Sequence, residues 1–198
     1  MIHPSTKIQY INDIVGYGIF ATEIIPKGTI TWVRDELDRE LTPEAFNALH
    51  PTVREVALKY SYRNGKGNYI LPWDHTRYTN HSFYANTMLT PYGFEIAIKD
   101  IKADEQITND YGTLNIIESF EPYDEGHERK MVHPNDLMVY WQEYDKQILQ
   151  AIKNIGKKEQ PLWSLIPDKT QKTIGNIING SENLLSILNC YYQCESIA

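Results

Sequence analysis

The sequence predicts a mainly β fold with added helices, and three observations carry the prediction. Short alternating or apolar stretches recur through the first half of the chain, each closed by Gly, Pro or Asn. These stretches do not alternate with long helices, as a parallel α/β sheet would require, so a curled arrangement of small sheets is expected. Past Ile117 the pattern changes to apolar residues at helical spacing, which divides the chain into a β-rich domain at 1–117 and a C-terminal helical segment at 118–198.

Each element has a local reason. Lys7–Ile11 alternates, Gly16 and Gly18 interrupt it, and Ile19–Ile25 is apolar. Pro26-Lys27-Gly28 makes a turn before an extended Thr29–Arg34. In Thr42-Pro43-Glu44 the threonine can cap a helix whose first position is proline, and Pro51 opens a second helical stretch to about Tyr60. Together they form a helical insert at about 42–60. Asn64-Gly65-Lys66-Gly67-Asn68 is a turn between tyrosine-rich extended pieces. Phe94, Ile96 and Ile98 alternate with Glu95, Ala97 and Lys99, which predicts a strand with one buried face. Lys102-Ala103-Asp104-Glu105 turns into a last short strand at Gln106–Thr108. In the second half, Asn135 is placed to cap a helix with Leu137, Trp141, Tyr144, Ile148 and Ile152 on one stripe, and Trp141 and Tyr144 read as core residues. Ile174–Ile178 and Leu184–Tyr192 read as terminal helices, the second beginning at Ser181 after Gly180.

Composition narrows the classes of function. A formal net charge of −7 argues against a nucleic-acid polyanion as the main ligand; it fits steering of a basic, lysine-rich polypeptide towards a cleft, and equally an ordinary solubilising surface. The N-terminal stretch lacks an apolar core of signal-peptide length, and no run approaches a membrane span, so a soluble, intracellular protein is expected, cytoplasmic if bacterial. The cysteines, Cys190 and Cys194, sit four apart and would share a helix face. Two cysteines cannot complete a four-cysteine zinc site. The fourteen tyrosines mean that much of the apolar area comes from amphipathic rings. Oligomeric state is left open.

Three segments carry the chemistry: Gly-Tyr-Gly-Ile-Phe-Ala at 16–21, Thr-Asn-His-Ser at 79–82 and Ile-Thr-Asn-Asp-Tyr-Gly at 107–112. In this order, with Ile-Pro-Lys-Gly after the first and Ile-Ala-Ile-Lys-Asp-Ile before the third, the stretch from Lys7 to Asn115 resembles a SET domain. The resemblance implies a β-clip fold of several short curled sheets with a pseudo-knot. It also implies methyl transfer from S-adenosyl-L-methionine to lysine side chains of a basic protein or peptide, with no direct nucleic-acid or membrane partner. Carried over residue by residue, Tyr17 and Gly18 hold the donor through main-chain groups. Asn80 and His81 meet its adenine and amino group, and Arg77 completes an Arg-aromatic-x-Asn-His pattern. Tyr111 is the catalytic tyrosine and also touches the donor. Positioning suits it better than proton abstraction, because a phenol of pKa ~10 is protonated at neutral pH. No metal is needed, since the work is alignment, desolvation and removal of one ammonium proton.

The chain departs from the family in two places. Many SET enzymes carry Asn-His-Ser-Cys and a cysteine-rich tail that completes a zinc site; here Phe83 stands in the cysteine's position and residues 120–129 hold no cysteine. No zinc is expected, and His127 and His133 read as ordinary polar residues. Segment 118–155 is expected to close the site instead, with Phe120 or Tyr123 near the adenine and the Leu137–Ile152 helix behind. The strand after Lys27-Gly28, usually a source of an active-site tyrosine, reads Thr31-Trp32-Val33-Arg34, with Tyr62, Tyr69 or Tyr78 as candidate substitutes. Asn109 stands where the family often sets methylation degree, which leaves that degree open. Two rivals follow: a SET-like binding module without turnover, and a methyltransferase acting on a small amine.

Overall fold

The computed structural model describes residues 1–157 and 159–193. Its larger sheet has seven strands. In chain order they are β1 (Thr6–Asn12), β2 (Gly16–Ala21), β3 (Ile30–Val33), β7 (Asn80–His81), β8 (Thr87–Leu89), β9 (Phe94–Ala97) and β10 (Gln106–Asn109). The spatial order is β1-β2-β10-β8-β9-β3, with β7 also paired to β10. A separate sheet of three strands, β4 (Arg39–Leu41), β6 (Tyr69–Leu71) and β5 (Tyr62–Arg63), packs beside helices α1 (Pro43–Asn47) and α2 (Pro51–Tyr60). This is the mainly β arrangement of short curled sheets with a helical extension that the sequence predicts. Thr42 Oγ1 accepts from the Ala45 N–H at 3.2 Å, and Pro43 and Pro51 open their helices where no donor is lost.

Strand β10 organises the molecule. It runs antiparallel to β2 and parallel to both β7 and β8, so Thr108 lies opposite Asn80, and Asn109 opposite His81 and Thr87. Strand β9 is covered on both faces, unlike the half-exposed strand that alternation predicts. Phe94 and Ile96 enter one core, Ala97 enters another, and Glu95 lines a cavity.

Helix α3 (Asp136–Ile152) buries its predicted stripe: Leu137, Tyr144, Ile148 and Ile152 pack with Ile30, Met88, Phe94 and Ile96, while Trp141 packs at the edge. Burial of each aliphatic side chain contributes about 1.5–3 kcal/mol. Asn135 does not cap this helix with its side chain. Asp136 Oδ2 instead accepts from the His133 N–H at 2.9 Å and from Arg129 at 2.7 Å. Helix α4 (Asp168–Asn179) ends at Gly180 in the left-handed conformation. The helix expected over Leu184–Tyr192 is a single 3-10 turn, Ile187–Cys190. Its chain is spent on long-range bonds instead: Asp145 accepts from the Ile187 N–H, and Asn115 joins Cys190 and Tyr192. Cys190 is half-buried with a free thiol, and Cys194 lies outside the described residues.

The tail is tied to the sheet by charge. Arg129 donates to Asp110, just after β10, and to Asp136 on α3, while Tyr144 Oη donates to Asp110 at 2.9 Å. The guanidinium lies 4.5 Å from the Phe83 ring centroid and 4.4 Å from that of Tyr140. Phe83 thus meets a cation from the tail where the family's pattern has a metal-ligating cysteine. Removing the cation strands two buried carboxylates. Arg129→Met should therefore lower unfolding free energy by about 3 kcal/mol in urea titrations at pH 7, whereas Tyr144→Phe should cost only about 1 kcal/mol.

Candidate functional site

The three sequence segments meet through strand pairing. Asn80 Nδ2 donates to the Tyr17 carbonyl at 3.0 Å, which joins the first segment to the second. The Tyr111 backbone N–H donates to His81 Nδ1 at 3.1 Å, which joins the second to the third. Tyr111 Oη donates to the Thr79 carbonyl at 2.7 Å, so one tyrosine spans both ends of the Thr-Asn-His segment. The glycines at 16 and 18 do not interrupt the strand but lie within β2. A Cβ on Gly18 would stand 2.7 Å from Ile11 Cδ1, 2.8 Å from Gln106 Nε2 and 3.0 Å from Asn80 Nδ2. The glycine therefore admits neighbouring protein side chains, Asn80 among them.

His81 is neutral in this setting. Burial, the largest influence, lowers its pKa, against an upward pull from Asp110. Its Nδ1 accepts a hydrogen bond, so its proton sits on Nε2, and that buried N–H has no partner among the described residues. The 3.9 Å approach of Asp110 to the ring is thus not an ion pair. Phe83, Tyr111 and Phe120 surround the imidazole, with ring centroids 4.6, 5.5 and 5.8 Å away. Phe120 is held there by bridge bonds to Val132. Tyr123, the alternative to Phe120, is 88% exposed and packs on neither ring. His127 stacks on Phe83, and His133 Nδ1 pairs with Ser119.

Beside Tyr111 opens a cavity of about 380 Å³, within the range of small-molecule sites. Trp32, Tyr62, Glu95, Asn109 and Tyr111 line it, and Arg77 and Thr79 form part of the wall. Arg77 is fixed there by donating to the Asp74 and Trp73 carbonyls. Of the candidate substitute tyrosines, Tyr62 stands edge-on to Trp32 at 6.2 Å and Tyr69 lines the cavity, while Tyr78 packs against Tyr17 and Tyr60. Asn109 is committed to the protein: it donates to Glu95 Oε1 at 3.1 Å and accepts from Thr113 at 3.3 Å.

Glu95 is the residue that sequence reasoning missed. It read as the solvent-facing member of an alternating strand. The signal available was the opposing Trp32 on β3, an aromatic that leaves no room for an exposed face. Burial raises the Glu95 carboxyl to about 7, and Asn109 opposes that rise only in part. Tyr111 is pushed up to about 12, first by burial and then by the Glu95 charge, so its hydroxyl stays protonated. Tyr62 is raised by the same two causes.

Comparison with known proteins bears on the same region. A family model described as SET domain matches residues 16–112. Among curated proteins, none matches this sequence. Similar solved structures include a Plasmodium falciparum protein assigned as a histone methyltransferase, with 22% identity, a TM-score of 0.40, and coverage of 56% of this chain and 95% of that one. Another is Polycomb Repressive Complex 2 from Chaetomium thermophilum bound to GSK126, with 23% identity, a TM-score of 0.43, and coverage of 55% of this chain and 16% of that one.

The shifted carboxyl has a thermodynamic signature. Between the ordinary glutamate range and about 7 the folded protein binds the Glu95 proton more tightly than the unfolded chain does, so stability falls as pH rises through that window. Thermal melts of wild type relative to Glu95→Gln should show this loss between pH 4.5 and 7, and the difference should level off above about pH 7.5.

Proposed function

Residues 16–112 of this chain form a SET domain, and from that premise we propose that the protein transfers a methyl group from S-adenosyl-L-methionine to the side-chain amine of lysine in a protein substrate. The observation that carries the reading is the position of Tyr111. It is bonded to both His81 and Thr79 and borders a cavity wide enough for an extended amine side chain.

S-adenosylmethionine supplies a methyl group already activated on a sulfonium centre. The residues to hold it are Arg77, Asn80 and His81, the main chain of Tyr17 and Gly18, and the Tyr111 and Phe120 rings. One feature tests the fit: His81 has a buried N–H with no partner among the described residues, and adenine carries ring nitrogens that accept. The Asn80 carbonyl oxygen remains available, because only its Nδ2 is used on Tyr17. Arg77 brings a positive charge to the cavity wall, which complements the donor's carboxylate.

The remaining work falls to this chain's own groups. Tyr111 Oη and the Thr79 carbonyl stand 2.7 Å apart, two oxygens facing one locus, where they can orient an amine and attract a polarised methyl. Because the Tyr111 phenol is raised rather than lowered, its role is to position and not to accept a proton. Trp32 and Tyr62 shield the cavity from water. The division into a SET domain at 1–117 and a closing segment at 118–198 is part of the same proposal, with Phe120 and Arg129 as the closing contacts. A lysine-rich, basic polypeptide is the substrate class that an acidic protein of net charge −7 would attract. No helix among the described residues is long and apolar enough to cross a membrane.

Calorimetry with S-adenosylmethionine, followed by a radiolabelled methyl assay on mixed basic proteins, tests the proposal. Donor binding and lysine labelling are expected. Absence of donor binding at millimolar concentration would remove the enzyme reading, and binding without transfer would favour a reader module. Tyr111→Phe should lower kcat roughly tenfold to a hundredfold while donor affinity stays within about twofold.

A further inference from the structure

We infer that Glu95 anchors the target amine as its ammonium ion in the cavity and then accepts its proton, leaving the nitrogen lone pair free for methylation. The inference rests on the methyl-transfer reading above and assigns the group that prepares the amine.

Glu95 is an acidic group in an aromatic-lined cavity, and among the described residues no cation pairs with it. Its one hydrogen bond among the described residues comes from the neutral Asn109 amide. The three cations on the same cavity wall are engaged elsewhere. Arg63 donates to the Asn115 and Ile116 carbonyls, Arg77 to those of Asp74 and Trp73, and Lys59 lies over the Tyr60 ring at 5.4 Å. The other groups that face Glu95 do not neutralise it: Tyr62 and Tyr111 stay protonated, and Asp74 is a second carboxylate. An uncompensated carboxylate in such a place is costly unless a cation arrives with the ligand. A lysine ammonium is such a cation.

A second, independent observation points to a polar ligand here. Trp32, 1% exposed, and Ser61 both line the cavity, and among the described residues neither the Trp32 indole N–H nor the buried Ser61 hydroxyl has a partner. Two donors on residues of the cavity wall thus lack partners among the described residues.

The chemistry balances within the pair. An N–H bond of the ammonium breaks and an O–H bond forms on the carboxylate; the electron pair stays on nitrogen, and ammonium plus carboxylate become amine plus carboxylic acid. The Asn109 bond fixes one carboxylate oxygen and leaves the other for the incoming proton. A carboxyl already raised by burial is a better base than an exposed one, and the same desolvation lowers the ammonium's hold on its proton.

The test uses the full chain and Glu95→Gln, with calorimetry of S-adenosylmethionine showing that the variant keeps its fold. Titration with n-butylammonium at pH 8, without donor, is expected to show binding to wild type that weakens at least about tenfold in the variant. In the methyl assay, kcat/KM of wild type should fall below about pH 7, where Glu95 is protonated. The variant should be slower by roughly thirtyfold at pH 8 and should recover about tenfold per pH unit towards pH 10, as free amine becomes available in solution. Equal n-butylammonium affinity in the two proteins, or a variant with the wild-type pH profile, would overturn the inference. If wild type labels no amine at all, the methyl-transfer reading fails, and the amine site is then decided by the n-butylammonium titration alone.

Discussion

The Arg129 guanidinium, shared between Asp110 and Asp136 and sandwiched by Phe83 and Tyr140, is the contact on which the rest of the arrangement depends. It reaches the residue immediately before Tyr111, the first residue of α3 and the aromatic two places after His81. One side chain thereby fixes the end of β10, the start of the helical extension and the tail that carries Phe120. A metal bound by cysteines can serve such a purpose by coordination. Here an ion network with two aromatic faces does so, and its strength lies in mutual neutralisation, since each partner alone would be a buried charge without its counter-ion.

The electrostatics of the site follow from burial more than from neighbouring charges. Desolvation is the largest influence on three titratable groups in one region: it lowers the pKa of His81 and raises those of Tyr111 and Glu95. The buried position of Asp110 does not upset this, because its charge is met by Arg129 and its second oxygen accepts from the Gly112 N–H at 2.9 Å.

Much of this was legible in the sequence where the signal was local. Thr42-Pro43 and Pro51 start helices where capping and the fixed proline angle demand it, and the apolar stripe of α3 follows the helical repeat. The three motif segments were readable because their order and spacing act together, although nothing local says that Asn80 would bond to Tyr17. What stayed hidden depends on tertiary contacts. The alternation of β9 suggested an outer face that the opposing Trp32 covers, so Glu95 passed as a surface residue. The run Leu184–Tyr192 has helical composition, yet Asp145 and Asn115 draw its backbone into longer-range bonds than a helix allows. Arg129 was one cation among several in a polar tail, and its partners are distant in sequence or masked as ordinary acids.

Asn115, buried and in the left-handed conformation, is a knot of such bonds. Its amide donates to the Arg63 and Cys190 carbonyls at 2.9 and 2.7 Å and accepts from the Tyr192 N–H at 2.9 Å. The Tyr192 ring rests against Gly67, where a Cβ would lie 2.5 Å from its Cζ, and under the Arg63 guanidinium. Strand β5, which contributes Tyr62 and Arg63 to the cavity, is thus propped by the last described stretch of chain. The consequence concerns timing during synthesis. While the ribosome still shelters residues near 190, the early segments can pair their strands, but the wall beside them lacks its brace, so competence to hold a ligand follows the emergence of that segment.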